Sequence, residues 1–515
     1  MTDTAIDKNT PIIVGAGQFM ELAEAPDYRA LSPVDLAAEA ARHALNDALS
    51  VEKLAALIDV IATTRTFNDS SPMLAMPFGA SNNFPRSIGK RLGIEPQRAI
   101  WEDAGGNSPQ DLVDEMSEAL AAGKAKVVLL AGAEAISTGR YLMAEKKDAN
   151  WKEELDGSVE NRLGKSGRMI SETEIKHGLR AAPPLYALCE HARRKNRGMS
   201  KAEYAADMGK LFAPFTQVAA MNPYSTTKKT YTAAELVTVT DRNRVIADPY
   251  PRLLVSRDQV NQSAALVMTT VGTARELGIS ENKWVFLHGY AKASERPLLE
   301  RQNLGASPAA HLAAKAALNA AGITAADLSF FDLYSCFPIA VSNICDGLGI
   351  AVDDPRGLTL TGGLPYFGGP GNNYSMHGIA RMVEVLRAKP GKFGFIGANG
   401  GFLSKYTVGI YSTQPVNFKI CDSKPLQAEI DSWPAPALAD KPNGRATIET
   451  YTVIYGKEGP ASGVVIGRLE DNSRCLAITR DGDSATLQKL VETDPLGAAI
   501  EVTAEEKNNR FVFAA

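Results

Sequence analysis

Short apolar runs alternate with longer alanine-rich stretches from the start of the chain to about residue 412, the pattern of strands separated by helices. The first run, Pro11-Ile12-Ile13-Val14-Gly15-Ala16-Gly17, predicts a buried strand entering a tight turn. Ser32-Pro33 then carries a helix-start signal, serine as cap and proline in the first turn. The helix predicted over 36–45 is alanine-rich and so able to pack closely on a sheet. Further strands are predicted at 58–63, 98–103 and 126–131. The last of these, KVVLLA, is apolar throughout, as parallel strands covered on both faces are. A helix over 109–122 falls between the last two strands. This alternation predicts an α/β architecture with a mostly parallel sheet.

One unit occurs twice. Ser32-Pro33 followed by Leu36-Ala37-Ala38-Glu39-Ala40-Ala41 returns as Ser307-Pro308 followed by Leu312-Ala313-Ala314-Lys315-Ala316-Ala317. Each copy follows an apolar run (12–14 and 284–287) and precedes another (58–61 and 330–333). A strand–helix–strand unit used twice describes a duplicated α/β fold whose halves pack against each other.

Between the halves the chain is more charged and richer in Tyr, Lys and Arg, as an insertion laid over one face would be. The expected divisions are a first half over 1–136, an inserted loop domain with its return to the core over 137–282, and a second half over 283–413. Pro415, Pro425, Pro434, Pro436 and Pro442 then mark an extended linker, 414–439. Beyond it, β-rich runs at 446–455, 463–469, 474–479, 498–502 and 510–513 predict a small β-barrel or sandwich over 440–515.

Composition narrows the function classes. At 515 residues, 45% hydrophobic and 22% charged, the chain has the make-up of a globular protein of two to four domains with a large core of its own. A net charge of −4 and a pI near 6.0 leave no basic footprint for nucleic acid. The C-terminal region argues the same way, with 11 Lys/Arg against 15 Asp/Glu from Lys419 onward and Trp433 as its one tryptophan. No apolar run is long enough for a membrane helix. Met1-Thr2-Asp3-Thr4 does not resemble a secretory leader, nor Phe513-Ala514-Ala515 a peroxisomal address. The five cysteines (Cys189, Cys336, Cys345, Cys421, Cys475) form no C-x-x-C pair and fit reduced thiols, so a cytoplasmic protein is expected.

Two glycine motifs fail on spacing. The third glycine of a dinucleotide fingerprint beginning Gly15-x-Gly17 would fall on Met20, and a phosphate loop ending Gly164-Lys165-Ser166 would need glycine at Val159. The six histidines show no metal-ligand spacing. Asp103-Ala104-Gly105-Gly106-Asn107-Ser108-Pro109 joins a strand to a helix, a place where backbone N–H groups stabilise developing negative charge. Ser108 sits there either as a nucleophile or, more plainly, as a helix cap. Asp332-Leu333-Tyr334-Ser335-Cys336-Phe337-Pro338 repeats the strand-to-helix arrangement; Cys336 is a nucleophile or acid/base, or else a small buried hydrophobe. The segment GGLPYFGGPGNNYSMHG over 362–378 is the densest in glycine, and its Asn372, Asn373, Tyr374 and His377 offer polar tips to a carbonyl or thioester oxygen. His377, placed ahead of a helix over 379–387, serves as a base with a lowered pKa or as a structural histidine. Gly397-Ala398-Asn399-Gly400-Gly401 follows a strand and brings backbone N–H groups close to a ligand.

In order and spacing these segments resemble the thiolase superfamily over residues 10–413, and its sterol-carrier (SCP2-type) branch in particular. The carriers are the first strand with its Gly-Ala-Gly, the 103–109 junction, VVLLAGAEAIS at 127–137, Asn222-Pro223-Tyr224-Ser225 and Asp248-Pro249-Tyr250. The resemblance implies two related α/β halves in α/β/α/β/α layers, a loop domain between them, and chemistry on CoA thioesters in lipid metabolism. Residues 440–515 resemble the OB-type barrels of acyl-CoA-binding partner domains. The catalytic loops depart from the family. Gly106 stands at the nucleophilic cysteine, Tyr334-Ser335-Cys336-Phe337 matches the His-Asp-Cys-Phe loop, Asn372 replaces the histidine of Gly-His-Pro, and Gly397-Ala398-Asn399 replaces Cys-x-Gly.

An acyltransferase of the acetyl-CoA acetyltransferase type, joining or cleaving C–C bonds on CoA thioesters, would then rely on other groups. Cys336 would act as acyl acceptor or acid/base, with His377 as base. Backbone N–H groups of Gly106 and Asn399 would form the oxyanion hole, and Asn372 would polarise the thioester carbonyl. Arg193, Arg194, Lys195 and Arg197 are placed to meet the CoA phosphates, or form a solvated helix face. CoA or acyl-CoA is expected as substrate or ligand, with no resident cofactor and no metal, in a monomer or homodimer. A non-catalytic CoA-binding protein and a non-covalent lyase on CoA esters are the alternatives.

Overall fold

The computed structural model describes residues 6–71, 74–75, 77–165, 167 and 170–514; residues 1–4, Ser166 and Ala515, which entered the sequence reading, lie outside them. The apolar runs become strands β1 (Pro11–Met20), β2 (Val60–Thr63), β3 (Arg98–Trp101), β4 (Val127–Ala135), β5 (Glu160–Asn161), β6 (Val245–Ala247), β7 (Tyr250–Pro251), β8 (Asn261–Thr270), β9 (Val285–Ser294), β10 (Leu328–Leu333), β11 (Phe393–Gly400) and β12 (Lys405–Ser412). Ten of them hydrogen bond in the order β10-β11-β12-β9-β1-β8-β4-β2-β3-β5.

The duplication is visible in this order. β9-β12-β11-β10 repeats β1-β8-β4-β2 strand for strand, with β2–β4 and β10–β11 parallel and the other pairs of each set antiparallel. The sheet is therefore mixed rather than mostly parallel. β8, which returns to the sheet only after the insertion, runs against β4, and β12 folds straight back on β11 as a hairpin. The two halves join where Ile12 pairs with Phe286 and Ile13 with Val285. Helices Ser108–Ala121 and Tyr374–Ala388 lie between the two wings of the sheet, packing Met116, Leu120, Met376 and Ile379 among Ile13, Leu130, Leu266 and Ile396. Pro33–Ala48 covers one outer face and Pro308–Ala321 the other. These are the five layers expected.

β1 does not turn at Gly15-Ala16-Gly17 but runs on to Met20. The glycines serve packing instead. A Cβ on either would collide with the backbone of the helix Pro33–Ala48, at Ala44 for Gly15 and at Ala40 and Ala44 for Gly17. The start of that helix is as predicted: Ser32 accepts a hydrogen bond from the Asp35 N–H, and proline occupies the first turn.

The insertion leaves the core after β4 and returns at β8, with helices Ala182–Asn196 and Lys201–Met221 as its framework. The 414–439 linker is not wholly extended; Lys424–Asp431 is a helix, tied to β9 by Gln427 and the backbone of Ser294. β13 (Asn443–Tyr455), β14 (Pro460–Leu469), β15 (Arg474–Thr479), β16 (Ala499–Ala504) and β17 (Asn509–Phe513) close into a barrel in the order β14-β15-β17-β16-β13, with β13 pairing back to β14. A helix, Ser484–Glu492, separates β15 from β16.

The barrel is fastened to the insertion and to the second half. Ile454 of β13 pairs with Ala247 of β6, His191 stacks on Tyr451 at 4.2 Å, and the fully buried Arg474 donates to the carbonyls of Leu299 (2.7 Å) and Arg301 (2.6 Å). Among the described residues no helix is long and apolar enough to cross a membrane.

Candidate functional site

The 103–109 turn, the 334–337 loop and the end of β11 meet at Gly106. Ser108 neither caps the helix nor stands free as a nucleophile. It is the first helical residue, buried, and its hydroxyl donates back to the Asp103 carbonyl at 2.9 Å, which closes the turn. A Cβ on Gly106 would lie 2.5 Å from the Asn399 carbonyl oxygen and from Cζ of Tyr334, and closer still to the Tyr334 hydroxyl. The Tyr334 ring thus fills the space a side chain at position 106 would need. It is held there by its N–H donating to the Gly397 carbonyl (2.9 Å) and by edge contact with Tyr374 at 5.3 Å. Asn399 turns its carbonyl, an acceptor, toward the space a Cβ on Gly106 would occupy.

Cys336 and Asn399 are brought together, with Asn399 Nδ2 3.9 Å from Cys336 Sγ. The same amide donates to the Tyr186 hydroxyl at 2.8 Å, and the Tyr186 ring stacks on Phe337 at 4.4 Å. Tyr186 went unseen in the sequence because it comes from the inserted helix Ala182–Asn196, remote along the chain and unmarked by any motif. Burial pushes the Cys336 thiol up to about 12, which leaves only about one molecule in 10⁵ as thiolate near neutrality.

The other expected site residues lie elsewhere. His377 is inside the first turn of Tyr374–Ala388 rather than ahead of it. Its ring is fully buried, with Nδ1 2.8 Å from Gln18 Oε1 and an edge contact to Phe367 at 5.1 Å. Burial lowers its pKa to about 3, which makes it a feeble base; its ring partners are on β1 and the glycine segment, not at Cys336. Asn372 does not offer its amide to a ligand. Oδ1 accepts from the Gly105 N–H at 2.9 Å, and Nδ2 donates to the Arg65 carbonyl at 2.7 Å and the Ser70 hydroxyl at 3.1 Å. Its part is to tie the 371–373 loop to the 103–107 turn.

The basic run is no phosphate cradle. Arg193 is buried against Asp346 (2.8 and 2.9 Å) and the Tyr204 hydroxyl (3.0 Å). Arg194 is buried in a two-pronged pair with Asp494 of the C-terminal region, both contacts 2.7 Å. Arg197 pairs with Asp207 at 3.1 Å, and Lys195 is left exposed.

The positive charge that remains open lies on another part of the insertion. A groove of about 1010 Å³ runs along 227–259 and is lined by Lys229, Arg242, Arg252 and Arg257, with Tyr231 and Tyr366 between them. Among the described residues none of the three arginines makes an ion pair. The Tyr366 hydroxyl, in a residue 1% exposed, has no hydrogen-bond partner. At the floor of the groove the Ser256 N–H donates to the Cys336 carbonyl (3.0 Å) and the Arg257 N–H to the Leu364 carbonyl (3.2 Å). The groove therefore abuts the backbone of the Cys336 loop. Its basic residues are spread singly along the sequence, which is why no run of charge announced them.

A duplicated five-layer fold with an insertion between its halves is a thiolase fold, here with a barrel added. Residues 425–507 match the family described as "Thiolase-like protein type 1 additional C-terminal domain". The crystal structure of a monomeric SCP2-thiolase like protein type 1 from Mycobacterium smegmatis is 47% identical, with a TM-score of 0.85 over 99% of this chain and 100% of that one. The chain belongs to that family, the SCP2-thiolase-like proteins of type 1, within the thiolase superfamily. More distant likenesses concern the fold alone. Human mitochondrial 3-ketoacyl-CoA thiolase in complex with CoA is 17% identical, with a TM-score of 0.54 over 78% of this chain and 98% of that one. "Acetyl-CoA acetyltransferase 1" of Arabidopsis thaliana is 30% identical over 157 residues, 28% of this chain and 35% of that enzyme, so the match spans about a third of its length.

Proposed function

We propose that this protein binds CoA or acyl-CoA in the groove along 227–259 and does not pass an acyl group through a covalent enzyme intermediate. The observation that carries the reading is the pairing of an open basic groove with a closed nucleophile position. Lys229, Arg242, Arg252 and Arg257 offer unpaired cations to phosphates, and the Tyr366 hydroxyl adds a free polar atom in the wall. Gly106 has no room for a nucleophile and Cys336 is held as a thiol. The CoA in the human thiolase complex and the acetyl-CoA chemistry named for the Arabidopsis relative support the choice of ligand.

The protein then works as a cytoplasmic monomer, without nucleic acid or membrane as partner and without a resident cofactor or metal. β5 covers the outer edge of β3, and Arg98–Glu160 and Arg162–Glu102 ion pairs clamp it there, so that edge is not offered to a second copy.

Calorimetric titration with CoA tests the binding. Arg242→Gln and Arg257→Gln are each expected to weaken CoA by about tenfold, the worth of a charge-assisted hydrogen bond to phosphate. Affinity unchanged in both variants would place CoA elsewhere or nowhere. One contact favours the acyltransferase alternative, the Asn399 amide 3.9 Å from Cys336 Sγ. An acetyl adduct on Cys336 after incubation with acetyl-CoA, read by intact mass and peptide mapping, would establish it.

A further inference from the structure

We infer that the chain carries a second ligand site, for a small zwitterion with an ammonium and an anionic group, between the helix Ser108–Ala121 and the strands β9 and β12. The cavity there holds about 820 Å³, within the range of small-molecule sites. It shares no lining residue with the groove along 227–259. One wall is a single face of the helix, since Asp111, Asp114 and Glu118 follow one another at spacings of three and four. The facing wall carries Lys292 of β9 and Lys405 of β12, on neighbouring strands where Lys292 is the register partner of Thr407 and Lys405 that of Ser294. Residues 420–427 close the far side, fixed by the Lys292 N–H to Ser423 Oγ (3.1 Å) and the Ser294 N–H to Gln427 Oε1 (2.8 Å).

The charges on the two walls are not closed on each other. Asp114 is 3% exposed; its Oδ1 accepts from Gln110 Nε2 at 2.8 Å, but its Oδ2 has no partner. Asp111, by contrast, accepts from Asn107 Nδ2 (2.6 Å) and from the Thr407 hydroxyl (2.7 Å). Among the described residues neither lysine reaches a carboxylate at ion-pair distance; the Lys405 ammonium is 3.5 Å from the Ala104 carbonyl. A buried carboxylate oxygen without a donor is costly. Burial and the neighbouring Asp111 also hold the Asp114 carboxyl well above the ordinary range, the condition that a bound cation relieves. An ammonium seated at Asp114 satisfies the free oxygen, and an anionic group on the same molecule meets Lys292 and Lys405 on the facing wall. An amine alone leaves the lysines unmatched, and an anion alone leaves Asp114 so.

The test is calorimetric titration of the full chain with γ-aminobutyrate, lysine and glycylglycine, with putrescine and succinate as the amine-only and anion-only probes. At least one zwitterion is expected to bind with a Kd of about 1 mM or tighter, and putrescine and succinate at least about tenfold more weakly. Asp114→Asn and Lys292→Gln are each expected to cost about tenfold in that affinity. Lys292 is exposed, so its replacement leaves the core untouched and keeps the test sound if Asp114→Asn folds poorly. No zwitterion binding up to about 10 mM, affinity unchanged in Lys292→Gln, or stronger binding of putrescine or succinate would each overturn the proposal.

Discussion

The Gly106 cluster and the groove along 227–259 lie on either side of one short stretch of backbone, yet they are built in opposite ways. Around Gly106 the polar side chains of three residues are engaged by the protein itself: Asn372 with Gly105, Arg65 and Ser70, Asn399 with Tyr186, and Ser375 with the Gly106 carbonyl. Along the groove the cations face outward and stay unpaired. Loops held by amide and hydroxyl contacts to neighbouring backbone and side chains keep their shape without a reacting group among them. What a ligand can still engage is the surface those contacts leave open.

The sharpest way to break this contrast is to put a nucleophile back. Gly106→Cys forces a side chain into the Tyr334 ring and the Asn399 carbonyl, and is expected to cost about 2–3 kcal/mol of stability, read by urea unfolding. It should gain no acyl adduct with acetyl-CoA. Combining it with Tyr334→Ala, which empties the obstructing volume, should return part of the loss relative to Tyr334→Ala alone. If Gly106→Cys is as stable as the parent and becomes acylated, the position is not closed.

A smaller effect follows from an acid buried beneath the glycine segment. Glu134, fully buried with Oε1 unpartnered, has its pKa raised to about 8 by burial, against about 4.5 for the exposed side chain. Between these values the folded chain holds a proton that the unfolded chain has released. Stability from this group is therefore complete below about pH 4.5 and falls as pH rises toward 8, by up to about 1.4 kcal/mol per pH unit. Glu134→Gln is expected to flatten the fall in Tm between pH 5 and pH 8. A pH profile identical to the parent's would show that Glu134 is ionised and solvated instead. CoA affinity at the groove should not follow this titration.

Much of the fold was legible because it rests on local rules. Ser32-Pro33 starts a helix by its own chemistry, and the repeat at Ser307-Pro308 exposed the duplication that the strand order confirms. The small barrel followed from alternating runs and turns. The parallel-sheet expectation failed because a strand's direction depends on where its chain returns, which β8 decides across the whole insertion and β12 at a hairpin. At the site, glycine and asparagine stand at 106 and 372, where the resembled family carries its cysteine and histidine, and that was plain from the sequence. Whether Arg193 and Arg194 meet a ligand or an aspartate depends on Asp346 and Asp494, 153 and 300 residues away. The Tyr334 ring over Gly106, the Tyr186 contact to Asn399 and the gathering of Lys229, Arg242, Arg252 and Arg257 are all products of folding.

The finest test of the contrast is Cys336→Ser, where the two readings of the protein part most cleanly. If Cys336 is packing, the change swaps a buried thiol for a buried hydroxyl with Asn399 Nδ2 within reach, at a cost of about 1 kcal/mol. CoA affinity should then stay within about twofold of the parent, since the groove meets this residue only through its carbonyl, which the substitution retains. If Cys336 instead accepts acyl groups, the parent protein forms an adduct that the variant lacks, and the difference appears in intact mass whatever happens to stability. The thiol's pKa near 12 adds a check on mechanism: modification by iodoacetamide should be slow at pH 7 and still slow at pH 9, because the thiolate is scarce at both. Rapid modification at neutral pH would mean that the loop opens in solution and that Cys336 belongs with the groove rather than with the closed cluster.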